Sequence, residues 1–312
     1  MGAPTRLRVR GPADMIPLVP YLLGFTPTDS LVVCGLQDGS LLGTARVDLA
    51  GMTPDTVRAV AGMLARGGAT HAIAFVYSAC DAGARLPHRD LIDALRDSPA
   101  PVSDAVHVHG RSFSSYGSPD GCRTEQPVPD APAAEVVAVY AGMAPLTDRA
   151  ALEQLFAPAA DTLRRPDLAE AEANLPENPG ALDRVQRELF AAADAGRRLS
   201  DEQVARFGAL LARDEQRDAV WLAVESGRLA DARGVWLDLA TRLPGVYRAA
   251  PLLLHGWTSW RHGDGARAAI AAAAALDADP RYEAAQVLGL VLRGGVNGRA
   301  VPRVPAEEPY AS

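Results

Sequence analysis

The hydrophobic period of this sequence is helical without interruption from about residue 180 onward, and part of that stretch repeats. Gly227 and Pro244 recur 36 residues later as Gly263 and Pro280. The alanines after each glycine and the tyrosine after each proline recur at nearly the same shift, and a tryptophan opens each unit. One such unit cannot bury its own apolar face, so the repeat requires helices that stack on one another.

The small residues at the expected helix crossings and the proline before the next helix resemble tetratricopeptide repeats, whose period is about 34 residues. Two units are fewer than the roughly three that such arrays need. We therefore expect the helices over 180–213 to complete the core. The result is an all-α, tetratricopeptide-like helical domain over residues 181–296.

The first 145 or so residues alternate instead between strand-like and helix-like runs. Short apolar runs predict buried strands over 30–36 and 71–78, and a further strand is predicted over 102–109. The Asp38-Gly39 turn predicts a hairpin that continues over 41–49. Helices are predicted over 54–66, with Thr53 as N-cap, and over 87–96. This order of elements predicts an N-terminal α/β domain with a mixed sheet.

Two stretches interrupt these patterns and suggest the domain boundaries. Residues 111–132 are rich in Ser, Gly and Pro and lack periodicity, which is typical of a long functional or disordered loop. Residues 157–180 are acidic and contain four prolines, as an interdomain linker would. We predict a mixed α/β domain over 1–156, the linker over 157–180, and a disordered tail over 297–312, with a helix over 133–142.

The charge of the chain excludes several classes of function. The net charge is −7 and neither half has a basic excess, so we expect no nucleic-acid partner. All 31 basic residues are arginine. Catalysis by lysine is therefore excluded, including a Schiff base or a phosphate-binding P-loop lysine.

The N-terminal apolar stretch and the cysteines bear on the compartment. Pro17 and Pro20 interrupt the stretch, and no cleavage site of small residues follows it. Its uncharged part is shorter than the ~18 residues of a membrane helix, so we expect no membrane association. Three scattered cysteines suit reduced thiols rather than a disulfide framework. These features predict a cytoplasmic protein.

A group of polar residues within otherwise apolar strand sequence forms the candidate ligand-binding site. Two carboxylates near an arginine can bind a polar ligand or exchange protons. The alternative is that the aspartate and serine before the first strand cap a turn and that the arginine and aspartate of the next strand pair structurally. An arginine at the start of the 111–132 loop can bind a carboxylate or phosphate, or bond to loop carbonyls. The candidates are Asp29, Ser30, Arg46, Asp48 and Arg111.

The remaining motifs give weaker evidence for a metal, cofactor or catalytic site. His107 and His109 alternate on a strand and therefore share a face, as metal ligands do, but no further ligand stands at a metal-site spacing. We expect no metal, no cofactor and no catalytic residue. The glycine motif at 263–268 follows a helix rather than a strand, which favours a turn of the repeat over a dinucleotide site. The G-x-S-x-G motif of many serine hydrolases is absent.

Four blocks of this sequence resemble the actinobacterial family known as domain of unknown function 4192. They are the run Asp14–Val33, with its L-G-F-x-P-x-D-S-L-V core, the run Ala45–Leu49, the run Gly110–Ser112, and residues of the repeat from Tyr247 to Tyr282. The resemblance covers nearly the whole chain and implies an α/β-plus-helical architecture, but no activity. Many members carry several cysteines in the loop where this chain has Cys122 alone, so the role of that loop stays open.

The sequence supports two functional hypotheses. Stacked repeat helices commonly bind other proteins, so we expect a protein-binding or adaptor module with an unknown protein partner. The alternative is an enzyme or small-molecule sensor with a pocket near Asp29, Arg46, Asp48 and Arg111. The oligomeric state is left open.

Overall fold

The computed structural model of the protein describes residues 10–79, 86–117, 124–130, 144–196, 198–227, 229 and 232–304. The chain forms two compact units. The first contains residues 1–152 together with 293–297, and the second contains residues 153–292 together with 298–312.

The first unit is built on a six-stranded mixed sheet in the order β2-β1-β3-β4-β5-β6. The β3–β4 pair is parallel and the other neighbours are antiparallel. The protein is therefore a mixed α/β protein, as predicted. The strands are β1 (Ser30–Gln37), β2 (Ser40–Asp48), β3 (His71–Tyr77), β4 (Val102–His109), β5 (Ser112–Ser115) and β6 (Gln126–Pro127).

Local signals account for the β1–β2 hairpin and for the helix that follows it. Asp38 and Gly39 both have positive φ, as a two-residue hairpin turn of the primed kind requires. The Thr53 side chain accepts a hydrogen bond from the Thr56 N–H at 3.3 Å and so caps the next helix. The helices of this unit are α1 (Pro12–Met15), a 3₁₀ turn (Ile16–Leu18), α2 (Val19–Leu23), α3 (Pro54–Arg66), α4 (Arg89–Arg96) and α5 (Arg149–Gln154), which extends into the second unit.

The two faces of the sheet carry different side chains. Leu31 and Val76 share one face with apolar residues of α3 and α4 and form the main core of the unit. Val32 and Phe75 lie on the opposite face, together with Arg46. Because both faces are covered, β1 is buried along nearly its whole length.

Strands β5 and β6 occupy part of the 111–132 stretch that the sequence suggested was a loop. Gly110 has a φ of +58° and turns the chain so that Ser112–Ser115 pairs with β4. Phe113 is buried in this strand although its neighbours are serines. The pairing with β4 compensates for the weak strand propensity of the run. The predicted helix over 133–142 lies outside the described residues.

A short segment near the C-terminus completes the first unit. A Cβ atom at Gly295 would meet the carbonyl oxygen of Met63 in α3, and the φ of Gly295 is +73°. Asn297 Nδ2 donates a hydrogen bond to the Leu42 carbonyl at 3.4 Å. Residues 293–297 therefore pack closely on α3 and β2, and glycine is required at 295 for both space and conformation.

The described elements of the second unit beyond α5 are helices, and their buried apolar residues form a large cluster and a smaller one. Their caps follow from sequence: Asn178 caps one helix, and Ser200 with Gln203 forms a capping box on the next. These elements are α6 (Arg165–Ala173), α7 (Pro179–Ala195), α8 (Asp201–Leu211), α9 (Asp214–Glu225), α10 (Arg233–Arg242), a 3₁₀ turn (Gly245–Arg248), α11 (Ala249–Arg261), α12 (Gly265–Ala278) and α13 (Glu283–Arg293).

Parts of the predicted linker and tail are ordered within this unit. Helix α6 lies in the range predicted as a linker, and its Leu168 is fully buried in the core. Residues 298–304 lie in the range predicted as a disordered tail, yet Arg261 Nη1 donates hydrogen bonds to the carbonyls of Gly298 at 2.5 Å and Val301 at 2.8 Å. The buried Arg261 thus binds backbone carbonyls of a segment that was predicted, from its composition, to be disordered.

Three of the four tryptophans of the second unit pack together. The Trp221 and Trp257 rings meet edge to face at 4.8 Å between centroids, and the centroids of Trp257 and Trp260 are also 4.8 Å apart. Such pairs add to the stability that area burial alone provides. Within the described residues, no helix of either unit has the length and apolar character needed to span a bilayer.

Candidate functional site

A cleft of about 490 Å³ lies at one edge of the sheet in the first unit. Strands β3 and β4 are parallel, so their carboxyl ends meet there, and the segment that enters β1 forms a third wall. This edge is where open α/β sheets commonly bind ligands. The lining residues are Thr26, Pro27, Thr28, Asp29, Tyr77, Ser78, Ala79, Val108, His109 and Gly110.

The residues before Thr26–Asp29 hold this wall of the cleft in place. Gly24 ends α2 with a φ of +77°, and Phe25 next to it is fully buried. The Thr26 N–H donates to the Leu146 carbonyl at 3.0 Å, and the Leu146 N–H donates to the Gly24 carbonyl at 2.8 Å. Asp29 has a φ of +40°, in a region that aspartate tolerates better than most residues. The wall therefore presents an exposed Asp29 to the cleft.

Tyr77, at the end of β3, carries a hydroxyl that accepts and donates no hydrogen bond within the described residues. Tyr77 is 9% exposed, and burial, with a smaller effect of Cys34, raises the pKa of its phenol. It pairs across the sheet with Ser30, whose hydroxyl is also buried without a partner in the described part of the chain. The phenol is thus neutral and in an apolar setting.

Ser78 follows Tyr77 and points to the opposite face of the sheet. Its Oγ lies 3.0 Å from Nε2 of His107 in β4, and both residues are buried. His109 lies on the same face, with its ring 6.3 Å from that of His107, as the alternation on a strand predicts. The cleft therefore contains a serine bonded to an imidazole and a second histidine beside it.

Arg46 and Asp48 form an ion pair behind the cleft wall rather than in its lining. Arg46 Nη2 lies 2.6 Å from Asp48 Oδ1 and also donates to the Thr28 carbonyl at 3.4 Å. The Arg46 guanidinium stacks 5.8 Å from the centre of the Phe25 ring. Its side chain is 8% exposed, whereas that of Asp48 is 64% exposed. The geometry is that of a structural pair which also holds the Thr28 carbonyl.

The five candidate residues therefore occupy different surroundings. Asp29 lines the cleft, and Ser30 lies beneath it at the start of β1. Arg111 follows Gly110 but is 90% exposed and pairs with Asp130 at 3.3 Å. The structure brings Arg46 and Asp48 together and does not place Arg111 in the cleft lining.

Sequence reasoning missed Tyr77 and Ser78. The available signal was two polar residues at the end of the apolar run 71–76, which predicts side chains at the carboxyl edge of a buried strand. Their pairing with Ser30 and His107 depends on strand order, for which the sequence alone gives no evidence.

The described residues offer little for metal or thiol chemistry. No group of three or more His, Cys, Asp or Glu side chains stands close enough to hold a metal ion in the part of the chain that the structure describes. Burial raises the pKa of the Cys34 thiol to about 12, so it stays protonated. Cys122 lies outside the described residues.

One family model, described as a domain of unknown function (DUF4192), matches residues 12–298. No curated protein and no solved structure matches the chain.

Proposed function

This chain belongs to the DUF4192 family, and we propose from the geometry of its cleft that it binds a small polar molecule at the carboxyl edge of the sheet. The single observation that carries the proposal is the cleft itself. Its volume of about 490 Å³ falls within the roughly 300–1,000 Å³ of small-molecule sites. Its polar groups are few, as in such sites.

The charges of the lining indicate the chemistry of the ligand. Asp29 carries the formal charge in the described lining, and His109 adds a titratable imidazole. Carboxylate and imidazole groups accept hydrogen bonds from hydroxyl and amino groups. The proposed ligand is therefore neutral or cationic and carries hydrogen-bond donors.

A cleft-filling substitution tests the proposal. Ala79 is exposed and lines the cleft, so Ala79→Trp fills it without disturbing the core. The matched control is Ala50→Trp, at an exposed turn position outside the lining. We expect fragments of about 10–20 non-hydrogen atoms to bind the wild-type chain and the control in ligand-observed NMR, and to lose binding to Ala79→Trp. Equal binding to all three proteins would reject the cleft as the site.

A second proposed function, for the second unit, is that of a protein-binding or adaptor module with tetratricopeptide-like helices. It is supported by large apolar side chains that the helices leave exposed. Val287 and Leu290 lie three residues apart on α13, which places them on one side of the helix, and they are 49% and 62% exposed. Such residues are common anchors for a partner surface.

Charge substitutions on α13 test this second function. Val287→Glu with Leu290→Glu is expected to remove any protein that purifies with the chain from its native cells, with the melting temperature unchanged. Leu41→Glu, near the start of strand β2, is the matched control because Leu41 is 38% exposed and apolar. Retention of the same proteins by the α13 variant would reject this surface.

A further inference from the structure

The contact between Ser78 and His107 has the geometry of a nucleophile with its general base. Their Oγ and Nε2 atoms are 3.0 Å apart, within the range of about 2.6–3.2 Å that such pairs show. Ser78 lines the cleft, whereas His107 is buried behind it at 1% exposure. A molecule in the cleft therefore reaches the serine first, and the imidazole is shielded from water.

The pairing of β3 with β4 sets the relative position of Ser78 and His107. Tyr77 and Val108 face each other across the parallel β3–β4 pair, and the Ser78 N–H donates to the Val108 carbonyl at 3.4 Å. The partner of His107 in this register is Val76, so Ser78 lies two residues beyond that partner and on the same face as His107. His107 lies within β4 and Ser78 directly follows β3, so neighbouring strands of one sheet set the separation of the two side chains.

We propose that Ser78 is a catalytic nucleophile activated by His107, and that the cleft hydrolyses small neutral or cationic carboxylic esters. This inference rests on the proposed small-molecule function of the cleft. It requires no G-x-S-x-G motif, because a serine–histidine pair is recognised by its geometry and not by its position in the sequence.

The reaction balances with water as the second substrate. The Ser78 Oγ attacks the ester carbonyl carbon as its proton moves to His107 Nε2, and the bond from carbon to the alcohol oxygen breaks. The alcohol leaves with the proton from Nε2. Water then attacks the acyl carbon, gives a proton to Nε2, and the acid departs as that proton returns to Oγ.

The charged groups of the cleft lining predict which ester substrates are favoured. Asp29 bears the formal charge among the described lining residues, and the guanidinium of Arg46 is engaged by Asp48 behind the wall. An ester with an anionic group therefore meets a carboxylate without a facing cation. We expect p-nitrophenyl acetate to be cleaved faster than a p-nitrophenyl ester with a free carboxylate on its acyl chain.

A fluorophosphonate probe tests the nucleophile directly. Its phosphorus accepts the Ser78 Oγ as fluoride leaves, and peptide mapping by mass spectrometry locates the adduct. We expect the adduct on Ser78 in the full-length chain, and none at this position in Ser78→Ala. Ser98→Ala is the matched control, because Ser98 is equally buried but donates to the Leu95 carbonyl at 2.6 Å, outside the cleft lining.

The same variants are compared in hydrolysis of p-nitrophenyl acetate. Ser78→Ala is expected to lower kcat/KM by roughly 100-fold or more, and Ser98→Ala to leave it unchanged. His107→Gln is expected to abolish labelling. If that variant does not fold, labelling of Ser78 in the wild-type chain still decides, since an unactivated serine does not react with the probe.

The outcomes separate this inference from the proposed function. Fragment binding that Ala79→Trp abolishes, with no adduct on Ser78, overturns the catalytic role and leaves the binding function standing. Absence of both fragment binding and the adduct overturns both. An adduct on Ser78 with activity lost in Ser78→Ala supports the inference.

Discussion

Ser30 and Tyr77 stand directly opposite each other where β1 pairs with β3, and neither hydroxyl has a hydrogen-bond partner among the described residues. Two buried hydroxyls side by side without partners are costly, at about 1–3 kcal/mol each. They lie on the Val32 face, next to the cleft edge, whereas the Ser78–His107 pair lies on the other face. The stability of the first unit is therefore lowered at the end of the sheet where the cleft opens.

The two buried tyrosines in the described part of this unit are expected to respond oppositely to loss of their hydroxyls. Tyr77→Phe removes an unpaired group, so the free energy of unfolding should stay within about 0.5 kcal/mol or rise. Tyr116 donates its hydroxyl to the Pro87 carbonyl at 2.5 Å, so Tyr116→Phe should lower the free energy of unfolding by about 1–2 kcal/mol. Hydrogen exchange of β1 and β3 amides measures both changes, and equal losses would contradict this account.

The Arg46–Asp48 pair is expected to be asymmetric. Arg46 has two buried N–H groups, at Nε and Nη1, without partners in the described structure, so Arg46→Met removes a cost while it keeps the packing. Asp48→Ala instead leaves the guanidinium buried without its carboxylate. We expect Arg46→Met to change the free energy of unfolding by less than about 1 kcal/mol and Asp48→Ala to lower it by about 1–2 kcal/mol. Urea unfolding followed by circular dichroism tests the order.

A buried ion pair stabilises the second unit, and its loss should be large. Glu225 Oε1 lies 3.1 Å from Arg261 Nη2, and Glu225 Oε2 accepts the Trp257 indole N–H at 2.7 Å. Glu225→Gln leaves a buried guanidinium without a counter-charge, so we expect a loss of about 3 kcal/mol. Glu188→Gln removes an exposed pair with Arg206 and should cost less than about 1 kcal/mol. All four tryptophans lie in the second unit, so their fluorescence reports its unfolding alone.

His255 makes the second unit sensitive to acid. Burial, with smaller effects of Arg267 and Arg233, lowers the pKa of His255 to about 3. The unfolded chain binds a proton near pH 6.5 and the folded chain does not, so stability is complete above this pH and falls as the pH drops toward 3.

The measurement compares wild type with His255→Gln in urea by tryptophan fluorescence. Between pH 7.5 and pH 5, the wild type should lose about 2 kcal/mol more than the variant. If the free energy of unfolding depends on pH in the same way in both proteins, folding does not lower the pKa of His255.

Local signals were sufficient for much of this fold. The Asp38-Gly39 turn and the Thr53 cap are short-range features, and β1 and β3 are largely apolar runs. Strand β5 was missed because its serines have weak strand propensity and gain their place from β4.

The candidate site was predictable only in part. Asp29 stood out as a polar residue before a buried strand, and it lines the cleft. Ser78 and His107 lie 29 residues apart, and they meet because β3 and β4 are parallel neighbours. Composition and periodicity do not determine which strands are neighbours, so this contact could not be derived from the sequence.

The segment over 293–297 links the completion of the first unit to protein synthesis. Residues 293–297, which pack on Met63 and Leu42, are translated about 140 residues after the rest of that unit. At about 5–20 residues per second this is a delay of roughly 7–28 s. Until then, the nascent sheet and α3 have an uncovered surface while the helices of the second unit leave the ribosome. The first unit of this protein therefore begins folding before the second unit, but it is completed only after nearly all of the second unit has been translated.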